Sequence, residues 1–275
     1  MLINCKGKLV DLSHPKIMGI LNVTPDSFFE DSRSSKLDDV LRKVEKMLPE
    51  GADFIDVGGM STRPDAIEIS EDEELKRVIP VMEVLIREFP ELLISIDTYR
   101  SRVVKEAVGA GAAIVNDISA GNLDAEMFQT ISELHVPYIL MHMQGAPQTM
   151  QKNPQYENIT LEINQFFANK VLELRELGIN DVILDPGFGF GKTIEHNYEL
   201  FQSLNMIGFG DFPILVGISR KSMITKFLNI SNKEALNGTT VLNALALERG
   251  AKILRVHDVK EAKETVKIWE QIQFK

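Results

Sequence analysis

Asp97, Asn116 and Asp185 each close a short apolar run, and Arg255 and His257 flank the end of another. Carboxylates and an amide accept hydrogen bonds, so together they suit a flat heterocycle that presents several N–H donors. Arg63, Arg220, Lys221, Arg255 and His257 are donors, and Arg255 can grip phosphate oxygens through two parallel bonds. The two chemistries side by side describe a ligand with one heterocycle and one phosphate group. Taken alone, each residue has a plainer reading: a strand-terminal Asp caps the following helix, and a lone cation is a solvated surface charge. Recurrence at the end of run after run is what points to a site.

The stretch ILDPGFGFGKT at 183–193 resembles a strand running into a phosphate loop. Such a loop needs a glycine, four residues, then Gly-Lys-Ser/Thr; Gly191, Lys192 and Thr193 fit, but Pro186 stands where the outer glycine belongs. The dinucleotide pattern fails as well, because Lys192 occupies its last glycine position. Asp185 is therefore the expected ligand contact. The glycines turn the backbone so that Phe190 lies beside the ligand, and Lys192 supports the loop.

These residues need a scaffold that gathers strand ends. Apolar runs at 17–21, 53–57, 93–97, 112–116, 137–141, 181–185, 213–218 and 251–256 read as strands, mostly continuous, as in a parallel sheet covered on both faces. Helical spacing links Val40, Leu41, Val44 and Leu48, then Leu75, Val78, Ile79, Met82 and Leu85, then Val259, Ala262, Val266 and Trp269. Pro80 predicts a kink or break in the second of these. Strand and helix alternate without a linker or repeat, which predicts an α/β fold, a (β/α)8 TIM barrel as a single domain over 1–275. A doubly wound sheet is the rival. Residues 3–12 predict a short extra strand or hairpin closing one end. Barrel sites are built at the carboxyl ends of the strands, where the polar residues stand.

Several features keep two readings. NVTPDSF at 22–28 is either an ordinary turn with Asp26 or Ser27 as a helix cap, or a loop whose Asn22 oxygen meets Mg2+ held by a polyphosphate. GGMSTRP at 58–64 can wrap a diphosphate or fold over the site as a lid. Met141 and Met143 are core or flank a flat ligand. His142 lacks the partner spacing of a zinc site.

A formal net charge of −10 argues against non-specific nucleic-acid binding, and it requires that the positive partners of an anionic ligand be gathered locally. No apolar run reaches the roughly 20 residues of a membrane helix. The first residues lack a signal-peptide core, so a cytoplasmic protein is expected. Cys5 is the only cysteine, which excludes a disulfide within the chain and reads as a buried, inert thiol.

From MGILNVTPDSF (18–28) through DVGGMSTRP, SIDTYR, IVNDISAG, MHMQGAPQTMQ, DPGFGFGK, GISRKSMI and GTTVLNALAL to LRVHDV (254–259), the chain resembles the dihydropteroate synthases, pterin-binding enzymes of folate synthesis and the targets of sulfonamides. The resemblance implies a barrel, usually a homodimer, that condenses 6-hydroxymethyl-7,8-dihydropterin diphosphate with p-aminobenzoate. It places Asp97, Asn116, Asp185 and Lys221 on the pterin, with Met141, Gly217 and Phe190 shaping the slot. Asn22, Thr62, Arg63, Arg255 and His257 would hold the diphosphate, Asn22 through Mg2+. Phe28, Thr62, Pro64, Phe190, Lys221 and Ser222 would line the p-aminobenzoate site. Asp97, Lys221, Arg255 and His257 would carry the catalysis.

Two departures from the family pattern stand out. The second loop usually reads GGESTRPGA, whereas here Met60 replaces the acid and Asp65 the glycine. After NVTPDSF the chain continues with FEDSRSS in place of a Gly-rich turn, and DSFFEDSR resembles the same region of sulfonamide-insensitive relatives. The alternatives are a pterin-dependent methyltransferase serving a corrinoid partner, against which Asn22, Arg255 and His257 argue, and a non-catalytic relative, which predicts eroded strand ends.

Overall fold

A computed structural model of the chain describes residues 1–23, 33–61, 68–210 and 212–273. The chain opens on an antiparallel hairpin, β1 (Leu2–Cys5) and β2 (Lys8–Asp11), with Leu2 opposite Asp11 and Cys5 opposite Lys8. Lys6 and Gly7 make its turn at φ 51° and 88°. Positive φ at both central positions matches the twist of the flanking strands.

Eight parallel strands then close into a barrel: β3 (Lys16–Asn22), β4 (Phe54–Gly58), β5 (Leu93–Asp97), β6 (Ile114–Asp117), β7 (Tyr138–Met141), β8 (Val182–Asp185), β9 (Ile214–Val216) and β10 (Ala251–Val256). β10 pairs with both β9 and β3, which excludes the open doubly wound sheet. Each strand begins and ends within two residues of its predicted run. Around the barrel lie α1 (Arg33–Glu50), α2 (Glu71–Glu88), α3 (Ser101–Gly109), α4 (Met127–Leu134), α5 (Ile159–Glu176), α6 (Ile194–Gln202), α7 (Ser222–Leu228), α8 (Leu236–Glu248) and α9 (Val259–Gln273). The break expected at Pro80 is absent, since α2 runs on through it to Glu88. Burial of Val78, Val81, Met82 and Leu85 on that helix outweighs the one backbone bond a proline forgoes.

Strand residues alternate between two clusters. Ile55, Val57, Ile94, Ile96, Val115, Tyr138, Leu140, Val182, Leu184, Val216 and Leu254 face the helices. Met18, Phe54, Ile114, Ile139, Ile183, Leu215 and Ile253 form an inner cluster with Ile3, Cys5 and Leu12 of the hairpin segment. The hairpin therefore plugs the barrel at the end where the strands begin, as residues 3–12 predicted. Cys5 is buried there, and burial pushes its thiol up to about 12, which makes it inert.

A buried polar knot closes the turn after β6. Asp117 accepts from Ser119 N at 2.7 Å, Gly121 N at 2.8 Å and the Tyr138 hydroxyl at 2.6 Å. Tyr138→Phe removes one of those donors from a buried carboxyl. The expected cost is about 1–3 kcal/mol, seen as a lower urea midpoint with an unchanged slope. An unaltered midpoint would show that the hydroxyl bond contributes nothing.

Candidate functional site

On six of the strands, a residue of the site stands two residues beyond the inner apolar position and on the same face. Phe54 leads to Asp56, Ile114 to Asn116, Ile139 to Met141, Ile183 to Asp185, Leu215 to Gly217 and Ile253 to Arg255. The pleat sends alternate side chains to the same face, so a polar tier sits directly above the apolar plug.

Arg255 lies at the centre of that tier. Its Nε donates to Asp56 Oδ2 and its Nη2 to Asp97 Oδ2, each at 2.6 Å. Asp56 Oδ2 also accepts from Asn116 Nδ2 at 2.9 Å, which leaves Asn116 its oxygen as an acceptor. Among the described residues, Asp56 Oδ1 and Asp97 Oδ1 are buried without a hydrogen-bond partner. Burial raises the Asp97 carboxyl above the usual carboxylate range; Arg255 pulls it down and Asp56 pushes it up again. Burial also works against the charge of Arg255, but Asp56 and Asp97 outweigh it and hold the guanidinium protonated. Asp56 stood one place before the end of a predicted strand, without a role of its own. Its signal was the parity it shares with Asp97 and Asp185.

Asp185 is buried, and its Oδ1 accepts from Gly187 N at 2.8 Å. Burial pushes its carboxyl up, while Lys221, the Gly187 N–H, Arg255 and Lys192 pull it back. Lys221 Nζ donates to Phe188 O and sits 4.7 Å from the centre of the Phe190 ring. Burial lowers Lys221 to about 8 against the pull of Asp185. A Cβ on Gly217 would stand 3.8 Å from Arg255 Cβ and 4.0 Å from Lys221 Nζ, so the glycine faces the space between the two cations. Met141 is buried with Met60, Tyr99 and Ile118 in an apolar cluster against which Phe190 and Met143 pack. Tyr99 and Ile118 were not singled out in the sequence, where each reads as an ordinary residue one or two places beyond a strand.

Asn22 is exposed at the end of β3. Its Oδ1 and Asp97 Oδ2 both lie 3.6 Å from where a Cβ of Gly58 would be, so Asn22 reaches the rim above the carboxylates. His257, also exposed, has Nδ1 3.0 Å from Ser219 Oγ and donates its backbone N–H to the same oxygen at 3.2 Å. Ser222 is exposed at the start of α7. Arg220 does not join this group: it clamps Asp258 with Nε at 2.8 Å and Nη2 at 2.7 Å. Asp26, Ser27, Phe28, Thr62, Arg63, Pro64 and Asp65 lie outside the described residues.

The chain on either side of 62–67 is tied down. Arg77 Nη1 donates to Gly59 O at 3.3 Å, Arg100 Nη2 to Ile69 O at 2.6 Å, and Tyr99 Oη to Glu68 Oε1 at 3.2 Å. Arg100 Nη1 also meets Glu74 at 2.8 Å, a fully buried acid on the packed face of α2. Met60 is buried with its sulfur 3.6 Å from the Tyr99 hydroxyl.

The glycine-rich turn after β8 needs its glycines. Gly187, Gly189 and Gly191 have φ of 69°, 82° and 59°. Lys192 is buried beneath them, not extended toward a phosphate, and Thr193 caps α6 by accepting from His196 N. His142 is buried beside Lys192, and no group of three His, Cys, Asp or Glu able to hold a metal occurs among the described residues.

The family model for pterin-binding enzymes matches residues 18–257. The chain is 44% identical over 272 residues to the dihydropteroate synthase of Escherichia coli K12, covering 98% of this chain and 96% of that one. It superposes on a crystal structure of the Yersinia pestis dihydropteroate synthase with a sulfonamide drug at a TM-score of 0.93, with 42% identity and 99% of both chains covered. A Xanthomonas albilineans dihydropteroate synthase with 4-aminobenzoic acid matches at a TM-score of 0.91 and 34% identity, covering 100% of this chain and 98% of that one.

A Cβ at Gly187 would lie 1.9 Å from His142 O, in a backbone region that side chains rarely adopt. Gly187→Ala is therefore expected to destabilise by more than about 1 kcal/mol and to displace the turn. Thermal unfolding together with ligand affinity reads both effects, and a neutral outcome in both would contradict this geometry.

Proposed function

The chain belongs to the pterin-binding enzyme family, and on that footing we propose that its barrel mouth condenses 6-hydroxymethyl-7,8-dihydropterin diphosphate with p-aminobenzoate. The products are 7,8-dihydropteroate and diphosphate, the reaction of a dihydropteroate synthase. The observation that carries this reading is the buried acceptor tier of Asp97, Asn116 and Asp185, with Asp97 Oδ1 unpartnered, set against the cations Arg255 and Lys221. Acceptors of this kind read a ring edge bearing N–H donors, and a buried acceptor left unpaired penalises any ring that lacks them.

The residues divide by depth. Asp97, Asn116 and Asp185 hold the pterin edge, with Lys221, Gly217, Met141 and Phe190 shaping the slot. Asn22 and His257 are exposed above that tier and, with Arg255 within it, take the diphosphate; Thr62 and Arg63 are assigned to the same group. Ser222, Phe190 and Lys221 are assigned to p-aminobenzoate, as are Phe28, Thr62 and Pro64, which lie outside the described residues. A Mg2+ arriving with the diphosphate would be held through Asn22 Oδ1 and would supply charge against the leaving group. A single neutral protein oxygen fits an ion that keeps phosphates and waters as its other ligands.

The bond between the pterin methylene and oxygen breaks first, and its electron pair leaves on the diphosphate. Arg255 and His257 stabilise that charge as it develops. The methylene cation delocalises into the ring, where the Asp97 carboxylate stabilises it. The amine nitrogen of p-aminobenzoate then forms the new bond and releases a proton. No covalent enzyme intermediate is required, because Lys221 is engaged with Phe188 O and Cys5 lies buried at the far end of the barrel. We also infer a single-domain, cytoplasmic homodimer. The exposed Val241 and Leu245 of α8 and Ile268 and Ile272 of α9 supply apolar surface for the dimer.

Release of diphosphate on adding p-aminobenzoate to the pterin diphosphate is the direct test, and its absence with Mg2+ present would favour the methyltransferase reading. Asp97→Ala is expected to lower kcat/KM by about 100-fold or more with the fold intact. The pH profile should be bell-shaped. Asp97 and Asp185 act as ionised acceptors but are raised by burial, so activity falls with acidification well before the roughly pH 4 of a free carboxylate. On the other side it falls as Lys221 loses its proton near about 8. An acid limb centred at or below about 4 would contradict the assignment of these carboxylates.

A further inference from the structure

Lys192 was set aside as a phosphate ligand, yet among the described residues it is the one lysine or arginine that is buried. It is 3% exposed. Its Nζ lies 2.9 Å from Gly187 O, 3.0 Å from Phe190 O and 3.1 Å from His142 Nδ1, with His142 O at 3.5 Å. An ammonium has three hydrogens, and three close acceptors surround it. Two are carbonyls of the turn itself. With three left-handed glycines in five residues, that turn points carbonyls inward that no helix or strand can satisfy. Gly187 O accepts from Phe190 N at 3.1 Å within the turn; Lys192 adds a second donor to it and donates to Phe190 O as well.

The third acceptor joins the turn to the neighbouring strand. His142 follows β7, and its N–H donates to Asp185 O at 3.0 Å. A charged Lys192 can only donate, and toward it His142 Nδ1 acts as acceptor with the ring proton on Nε2. Burial and then the charge of Lys192 hold it well below the usual histidine range. Phe166 fixes the ring edge-on at 5.0 Å between centroids. Outside the knot, Asn197 Oδ1 accepts from Gly189 N at 2.6 Å, Gln151 Nε2 donates to Gly189 O at 2.6 Å, and Tyr156 Oη donates to Gly191 O at 2.8 Å. The turn is thus braced from inside by Lys192 and from outside by polar side chains.

We propose that Lys192 is a positioning residue for the pterin end of the reaction: its buried ammonium, acting with His142, sets the turn that carries Asp185 at one end and Phe190 at the other. The proposal rests on the reading that Asp185 and Phe190 face the heterocycle. Lys192 touches no substrate. Loss of its three bonds lets the Phe190 carbonyl and ring move relative to the Asp185 carboxylate, and a displacement of about an ångström in such a site costs on the order of 10- to 100-fold.

Lys192→Met keeps the length and removes the donors. Steady-state kinetics in both substrates should show KM for the pterin diphosphate rising on the order of 10-fold or more, with KM for p-aminobenzoate rising less. Lys192→Arg should recover part of the loss. His142→Leu removes one acceptor and should give a smaller rise, and it serves as the deciding variant if Lys192→Met does not fold. Circular dichroism and thermal unfolding report whether each protein is folded. Asp185→Ala separates the two layers of the reading. If it leaves the pterin KM unchanged, the pterin wall itself is misassigned. If it raises the pterin KM while folded Lys192→Met and His142→Leu do not, the positioning role is overturned.

Discussion

Side chains on a strand alternate between two faces, and a closed barrel gives each strand one inward place at its mouth. The whole site hangs on that restriction. Because inner apolar residues sit two places before Asp56, Asn116, Asp185 and Arg255, and Leu93 four places before Asp97, the same pleat that builds the plug lifts these five above it. A register slip of one residue would turn every one of them outward into the helical layer. Closure through β10 with β3 and β9 brings Arg255 to face β4 and β5.

The arrangement carries an electrostatic cost. Asp56, Asp97 and Asp185 sit close together over an apolar floor, and burial disfavours the charge of Asp97 and Asp185. Arg255 offsets this by pairing with Asp56 and Asp97 at once. Buried ion pairs of this sort add little net stability, since desolvation of both partners opposes their attraction. Their value is geometric. Arg255 fixes two carboxylates, and Asp56 fixes the Asn116 amide, so the acceptors stand in place before a ligand arrives. An overall charge of −10 does not prevent an anion from binding, because the cations are gathered at the mouth.

Much of this was legible in the chain. The strands, the plug and the polar strand ends follow from apolar runs, their lengths and the residues that terminate them. What was not legible depends on closure. Arg255 and Asp56 are 199 positions apart, and only the barrel makes them neighbours. Arg220 belonged to the donor-rich group by type and place, but Asp258 lies 38 positions on and takes its Nε and Nη2, while Asn232 O takes Nη1. Glu74 stands where helical spacing expects an apolar residue; its partner Arg100 comes from the turn after another strand. Lys192 was legible in part: the failed phosphate-loop pattern left it as a support of the loop, while its acceptors Gly187 O, Phe190 O and His142 Nδ1 come together only in the folded turn.

The hairpin at the start of the chain has a kinetic consequence. With Ile3, Cys5 and Leu12 packed into the far end, the described residues leave the mouth as the way in. The buried carboxylates lie at the back of that room and Asn22, Ser222 and His257 stand at its threshold. On the assignment of substrates given above, a guest seated at the back must enter before one seated at the threshold and can leave only after the threshold clears. The order of turnover is then set by the floor plan, and a product that spans both positions is drawn out through the same opening by which its two halves came in.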